Sequence, residues 1–294
     1  LMGVCSEVAG SFMTKITDGI NFEPKSPKGR NVNWGIREFA MAAAQNGMLL
    51  HGGLKTYVGC FCVFSDYMKP AIRMAALSKL PAIYLFSHDS IAVGEDGPTH
   101  QSVEQLGCLR LIPNLNVFRP CDTRELVGAY SIALKNSCPS AFVLAKQNLK
   151  SLDSNIDNVK KGAYVIAGEK GDVEILASGS EVALAMEVRN ILSSQDISCV
   201  VVSCPCLELF DKMSQKYKDD ILSRSKHLVS LEASNDNIWQ KYLSKEVRTD
   251  IRLLISDFTI LWSNYEKYLF KNGYSWKKAT YKYINSKYKF SDDK

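Results

Sequence analysis

Pro81-Ala82-Ile83-Tyr84-Leu85-Phe86, followed directly by Ser87-His88-Asp89-Ser90-Ile91-Ala92-Val93-Gly94-Glu95-Asp96-Gly97-Pro98-Thr99-His100-Gln101, is the stretch on which the reading of the fold turns. Its first part is a short apolar run with the composition of a strand buried on both faces. Its second part is polar and rich in turn formers. Strands of that kind belong to parallel sheets with helices on either side, and in such sheets ligands bind on the loops that follow the carboxyl ends of the strands. The loop holds half of the chain's 4 histidines together with Asp89, Glu95 and Asp96, and Gly94, Gly97 and Pro98 shape its backbone. A long polar loop inside a compact domain more often carries function than mere connection.

The same alternation extends in both directions. Residues 36–47 follow a helical pattern in which Ala40, Ala42, Ala43 and Ala44 permit close packing, and residues 57–64 read as a strand. Residues 67–78 space Ala71, Ile72, Met74, Ala75 and Leu77 as a helix does. Residues 116–118 and 141–144 read as further strands, with a helix between them opened by Asp122-Thr123 and Glu125. A polar run around 151–170 reads as a linker. A second strand–helix series follows: strands at 173–176, 198–203, 228–231 and 253–255, a helix from Ser180-Glu181 to about Leu192, and a helical tail over 262–288. The expected architecture is α/β, in two domains of mostly parallel sheet flanked by helices. The first spans 1–150, the linker 151–170 and the second 171–294.

The 294 residues are 46% hydrophobic and 23% charged, which leaves ample material for two cores and excludes a wholly disordered chain. No apolar run approaches the ~18 residues of a membrane span. The amino terminus lacks the basic and apolar regions of a signal peptide, and a chain opening on Leu1 reads as the interior of a longer polypeptide. Nine cysteines without framework spacing suit reduced thiols in a cytoplasmic setting. The pairs Cys60/Cys62 and Cys204/Cys206 have no neighbouring histidine and read as buried thiols rather than a metal site. Residues 241–294 carry 12 Lys and Arg against 6 Asp and Glu, and the preceding residues 24 against 25. Aromatics interleave with the tail lysines at near-helical spacing, so the basic tail reads as a solvated helix surface, with no nucleic-acid or membrane partner demanded.

The motifs carry a resemblance. Phe86-Ser87-His88-Asp89-Ser90, Gly94-Glu95-Asp96-Gly97-Pro98-Thr99-His100-Gln101 and Val103-Glu104-Gln105 closely resemble the transketolases. So do Gly35-Ile36-Arg37-Glu38-Phe39-Ala40-Met41 with Asn46-Gly47 and Leu50-His51-Gly52-Gly53, the spacing Phe61-x-x-Phe64-x-x-Tyr67, Arg119-Pro120-Cys121-Asp122, Gln147-Asn148-Leu149, and Ala177-Ser178-Gly179-Ser180-Glu181-Val182. The matches are collinear from residue 1 to about 211 and fade beyond about 245. They correspond to a pyrimidine-binding domain and a carboxyl domain. The Gly-Asp-Gly…Asn motif with which the family's amino half holds magnesium and the cofactor diphosphate does not occur in the sequence.

The resemblance implies thiamine diphosphate and Mg²⁺ as cofactors and phosphosugars as substrates, with transfer of a two-carbon ketol unit in the pentose phosphate pathway. It assigns Glu38 to the pyrimidine N1′, where apolar Ile36, Phe39, Ala40 and Met41 are expected to desolvate the carboxyl. Read without the resemblance, Glu38 is a surface residue at a helix start, paired with Arg37. Phe61, Phe64 and Tyr67 match the aromatic wall of the pyrimidine pocket. His88 and His100 match substrate-contacting imidazoles, and Asp96 the carboxylate on the sugar C2 hydroxyl. Ser11 and Lys146 match the phosphate end of the channel, Lys146 standing where the family has arginine. Glu7 stands where an aspartate approaches the cofactor. His51 and His227 read as structural.

Two other readings remain. One is the beta-type chain of another thiamine diphosphate enzyme, a 2-oxo acid dehydrogenase or a deoxyxylulose phosphate synthase. The other is a non-catalytic dimerisation half. The His88–His100 loop favours the transketolases. The implied partner is a second copy of the chain or an amino-half chain.

Overall fold

The structure is a computed structural model and describes residues 2–5, 14–93 and 96–243. The expected strand at 253–255 and the helical tail lie outside the described residues.

The first module is a six-stranded sheet in the order β2-β1-β3-β4-β6-β5. Its strands are β1 (Met2–Cys5), β2 (Asn31–Asn33), β3 (Thr56–Phe61), β4 (Ile83–Ser87), β5 (Asn116–Phe118) and β6 (Ser140–Val143). Every pairing in it is parallel. The continuous apolar run of β4 is explained by the period of 2 along a strand. Tyr84 and Phe86 enter the core formed with Met41 and Ala42 of α1 (Glu38–His51) and Met68, Ile72 and Ala75 of α2 (Ser65–Leu77). Ile83 and Leu85 point the other way, onto Ala129 and Ala133 of α4 (Thr123–Ala133). Between them in the chain, α3 (Gln105–Arg110) adds Leu106 and Leu109 to the first of these cores.

The helix signal at Asp122 holds: its carboxylate accepts the Glu125 amide at 3.0 Å and caps α4. The other oxygen of Asp122 accepts the Leu152 amide at 3.0 Å, and the Ser154 hydroxyl also donates to its carboxylate, at 2.6 Å. The polar run expected to be a linker is therefore tied down. It contains a 3₁₀ turn, Ile156–Lys161, capped by Asn155, and then β7 (Tyr164–Ala167). β7 hides in sequence behind the Asn and Lys residues that precede it, yet it is a strand of the second sheet.

That sheet runs β10-β8-β9-β7, with β8 (Gly171–Ala177), β9 (Cys199–Ser203) and β10 (Ser225–Leu231) parallel and β7 an antiparallel edge on β9. Val173, Ile175 and Ala177 of β8 pack under α5 (Glu181–Ser193). Leu176, with Val200 and Val202 of β9, packs on the opposite side with Leu207 and Phe210 of α6 (Leu207–Asp211), Ile221 of α7 (Gln215–Leu222) and Trp239. The architecture is two α/β modules, as expected. Cys60, Cys62, Cys204 and Cys206 are buried thiols within these cores.

Gly162 closes the connection with φ +78°, in the left-handed region. A Cβ there would lie 2.1 Å from the Phe210 nitrogen and 2.3 Å from the Cys206 carbonyl oxygen, both backbone atoms that cannot swing away. Gly162→Ala is therefore expected to destabilise the chain by about 2–4 kcal/mol, the sum of backbone strain and steric overlap. Urea unfolding checks this: an unchanged midpoint would show that α6 yields freely at this point.

Candidate active site

Three adjacent strands, β3, β4 and β6, end side by side, and the chain leaving each of them carries polar or aromatic side chains into one cleft. β3 ends at Phe61 and runs through a 3₁₀ turn to Phe64. β4 ends at Ser87 and releases His88, Asp96 and the turn Pro98–His100. β6 is followed by Lys146. This is the place that parallel-sheet geometry provides for ligands.

The ring of His88 lies 4.0 Å, centroid to centroid, from Phe61. His100 stands edge-on to both phenylalanines, at 5.7 Å from Phe61 and 5.4 Å from Phe64. Phe64 is 5.8 Å from Phe61 and 6.0 Å from Tyr67, so one aromatic surface joins the two imidazoles to α2. Asp96 is the electrostatic link. Its carboxylate is 3.3 Å from Nε2 of His88 and accepts Nζ of Lys146 at 2.5 Å, while Lys146 also reaches the Val93 carbonyl at 2.9 Å. Nδ1 of His88 lies 2.9 Å from the Ser87 hydroxyl. With Nε2 protonated toward Asp96, Nδ1 is left to accept from that hydroxyl. Nδ1 of His100 has the Thr99 hydroxyl at 2.9 Å.

Burial holds the His88 imidazole below its ordinary pKa; Asp96 pulls it up, and Lys146 and His100 push it down. The hydrogen bond from Lys146 holds the Asp96 carboxyl below the usual range. The cleft thus presents a neutral imidazole beside an ionised carboxylate at neutral pH, a pair able to accept and return protons at hydroxyl groups.

Glu38 opens α1, which packs against β3 and α2, the elements on either side of the aromatic turn. Its carboxylate makes no hydrogen bond or ion pair among the described residues, and Arg37 donates instead to the Trp34 carbonyl at 2.9 Å. The apolar neighbours expected to enclose Glu38 do not all do so. Helical spacing turns Met41, Ala42 and Gln45 to the core and leaves Phe39 54% exposed, and Ile36, just before the helix, is 76% exposed. Tyr67 is 63% exposed, the outer end of the aromatic surface. Lys146, expected at substrate phosphate, is engaged with Asp96. Glu7 and Ser11 lie outside the described residues.

Sequence reasoning gave no role to Ser87 and Asp89, although both lie in the quoted loop, nor to Ser102 just after it or to Arg119. Asp89 is buried on Arg119, and the Ser102 hydroxyl donates to the His88 carbonyl at 3.2 Å. The available signal was their place beside two histidines.

The fold defines a parallel-sheet α/β module, with aromatic and polar side chains gathered beyond its strand ends, followed by a second α/β module. Family models match accordingly: the transketolase pyrimidine binding domain over residues 1–151 and the transketolase-like C-terminal domain over residues 162–252. The chain belongs to the transketolase family. It is 47% identical over 254 residues to the transketolase of Halalkalibacterium halodurans, covering 84% of this chain and 38% of that protein. The crystal structure of transketolase from Campylobacter jejuni superposes with a TM-score of 0.78 at 42% identity, over 82% of this chain and 38% of that one. The fold alone is shared, at 23% identity and a TM-score of 0.64, with a chain described as a split-gene transketolase, an inactive β4 tetramer, over 79% of this chain and 73% of that one. This chain therefore spans about 38% of the length of the curated relatives it matches.

Because the Lys146 cation disfavours a second positive charge on His88, Lys146→Met is expected to raise the His88 titration midpoint. NMR of ¹³C-histidine-labelled chain reads this directly, since only 4 imidazoles contribute. A midpoint that stays or falls would remove Lys146 from the neighbourhood of His88.

Proposed function

We propose that this chain is the carboxyl part of a transketolase that moves a two-carbon ketol unit between phosphosugars with thiamine diphosphate and Mg²⁺, in the pentose phosphate pathway. The observation that carries the reading is the single cleft in which Phe61, Phe64, His88, Asp96 and His100 converge from two adjacent strand ends. The residues fit the pyrimidine end of the cofactor. A half-buried Phe64 between Phe61 and Tyr67 offers a flat wall, and Glu38 keeps a carboxylate without a partner among the described residues. They do not fit its diphosphate end: among the described residues no group of three or more His, Cys, Asp or Glu side chains could hold a metal ion. That end falls to the remainder of the enzyme.

Thiamine diphosphate, when bound, supplies a C2 carbon that can lose its proton and attack a carbonyl. Glu38 holds a hydrogen bond at N1′ of the pyrimidine, and the aromatic wall excludes water from that face. His88 and His100 hold and move protons at the sugar oxygens, and Asp96 accepts from a hydroxyl, so that configuration is read by a fixed acceptor. Lys146 brings positive charge toward the phosphate end as a point charge; Ser11 and Glu7 stand at substrate and cofactor by resemblance. The His88–His100 loop favours ketol transfer over 2-oxo acid chemistry.

The partners we infer are a second copy and the amino-half portion. In support, Ile36, Phe39 and Tyr67 beside the proposed pyrimidine site are exposed apolar groups that an assembled enzyme would cover. A cytoplasmic setting is supported by eight described cysteines that are thiols rather than half-cystines. Among the described residues no helix is long and apolar enough to cross a membrane.

Two results are expected. Glu38→Gln, in an assembly containing the amino-half portion, slows C2 proton exchange of bound cofactor by ~10²–10⁴-fold; undiminished exchange would take Glu38 out of the role. Residues 1–294 alone bind thiamine diphosphate and Mg²⁺ weakly in calorimetry and do not transfer ketol units, whereas supplying the amino-half portion brings both back. Tight magnesium-dependent binding with turnover by this chain alone would contradict the assignment of the diphosphate end to another segment.

A further inference from the structure

Arg119 is among the largest side chains that are fully buried, at 0% exposure, and it sits where the two modules meet. Its own backbone already crosses the junction: the amide donates to the Pro205 carbonyl at 2.8 Å, and the carbonyl accepts the Gly179 amide at 2.9 Å. The guanidinium then divides its donors between the modules. Nη1 reaches the Ser178 carbonyl at 2.8 Å, the Ser178 hydroxyl at 3.1 Å and the Glu181 carboxylate, all on the turn between β8 and α5. Nη2 reaches Asp89 of the first module at 2.6 Å and the Ser180 hydroxyl at 3.4 Å.

Asp89 directly follows His88. His88 has φ +59°, a left-handed conformation that a residue with a Cβ adopts only when its surroundings enforce it. The enforcement is visible on both sides. The Ser102 hydroxyl donates to the His88 carbonyl, and Arg119 clamps the next side chain in place. Gly179 is shaped to the same end: with φ +55°, it would bring any Cβ within 2.7 Å of the Arg119 side chain.

We propose that Arg119 and Asp89 are positioning residues that fix the His88 imidazole, and that they do so by anchoring its loop to the Ser178–Glu181 turn of the carboxyl module. Through this contact the carboxyl module, which among the described residues contributes no side chain to the cleft, sets the orientation of a side chain in it. A planar fork is suited to the task, because two separate donors hold Asp89 and Glu181 at a fixed mutual distance. The consequence for catalysis rests on the reading of His88 given above; the structural coupling does not.

The test separates the two. In ¹³C-histidine-labelled chain, Asp89→Asn and Arg119→Lys are expected to shift the His88 imidazole resonance and its titration midpoint while His51 and His227 stay. Asp96, Lys146, His100 and Asp89 are the charged groups that face this ring, so the Asn variant changes one of them and the Lys variant only the geometry. Glu181→Gln, in the other module, is expected to move the same signal, and it stands in should either first-module variant fail to fold. Glu125→Gln is the control: Glu125 is a buried carboxylate at the same junction, bonded to Tyr164, Ser203 and the Cys121 amide, and it should lower thermal stability without moving His88. In the assembled enzyme, Asp89→Asn is expected to lower kcat by ~10- to 100-fold with little change in KM. In a His88→Gln background its further effect is expected to be less than ~3-fold. A His88 signal unmoved by Asp89→Asn or Glu181→Gln overturns the proposal, as do effects on kcat that multiply independently of His88. If His88→Gln alone leaves transfer intact, the catalytic reading of His88 fails, and the NMR result still decides whether the anchor exists.

Discussion

A guanidinium with no exposed surface has to be met by carboxylates, because the cost of taking an unpaired ion out of water is several kcal/mol. Arg119 meets two, Asp89 from one module and Glu181 from the other. The requirement does not stop there. The Ser178 hydroxyl beside Arg119 donates to Glu232, and Glu232 in turn takes both Nη atoms of buried Arg110, at 2.6 and 2.8 Å, and the Trp239 indole at 2.7 Å. Burial alone would raise the Glu232 carboxyl, but Arg110 with its hydrogen bonds, then Arg119, brings it down to about 2. The charges form one connected set, so the modules cannot separate without exposing or orphaning several of them at once.

The neighbouring polar contacts repeat this logic without full charge. Glu125 on α4 accepts the hydroxyls of Tyr164 and Ser203 from the second sheet, and burial raises its pKa despite those bonds. The Val117 amide of the first sheet donates to Glu208 of α6 at 3.0 Å. Side chains of one module thus satisfy groups of the other along the whole contact. A connection read from composition as a linker is accordingly pinned by Asp122 and Asn155.

Why the sequence disclosed some of this and hid the rest follows from the range of the interactions. Period and capping are local, so β5 is found at its expected residues and Asp122 caps the helix assigned to it. The cleft residues were legible because Phe61, Phe64, His88, Asp96 and His100 stand in short contiguous motifs. Short edge strands such as β2 carry too few residues to show a period, and β7 lies behind polar neighbours. Arg119 shows the deeper obstacle. Its partners are 30 residues upstream and about 60 downstream, and no local pattern marks a surface-type residue as the centre of an interface. The solvent-facing side of α1 was obscured for another reason: Phe39 looks like core by composition, and only the helical phase set by Met41, Ala42 and Gln45 shows it pointing outward, while the helix begins at Glu38 and leaves Ile36 before it, exposed.

The departure at Lys146 now acquires a physical meaning. An arginine fork has donors in a plane and can hold a carboxylate on one edge while leaving another for a second anion. A lysine has one ammonium on a flexible stem, and here it lies between the Asp96 carboxylate and the Val93 carbonyl. Charge directed at Asp96 is charge partly neutralised within the chain itself. It also acts inward: burial already keeps the His88 imidazole below its ordinary pKa, and the nearby Lys146 cation opposes the protonation that the ionised Asp96 carboxylate favours. The Lys146 charge therefore acts on the Asp96–His88 pair.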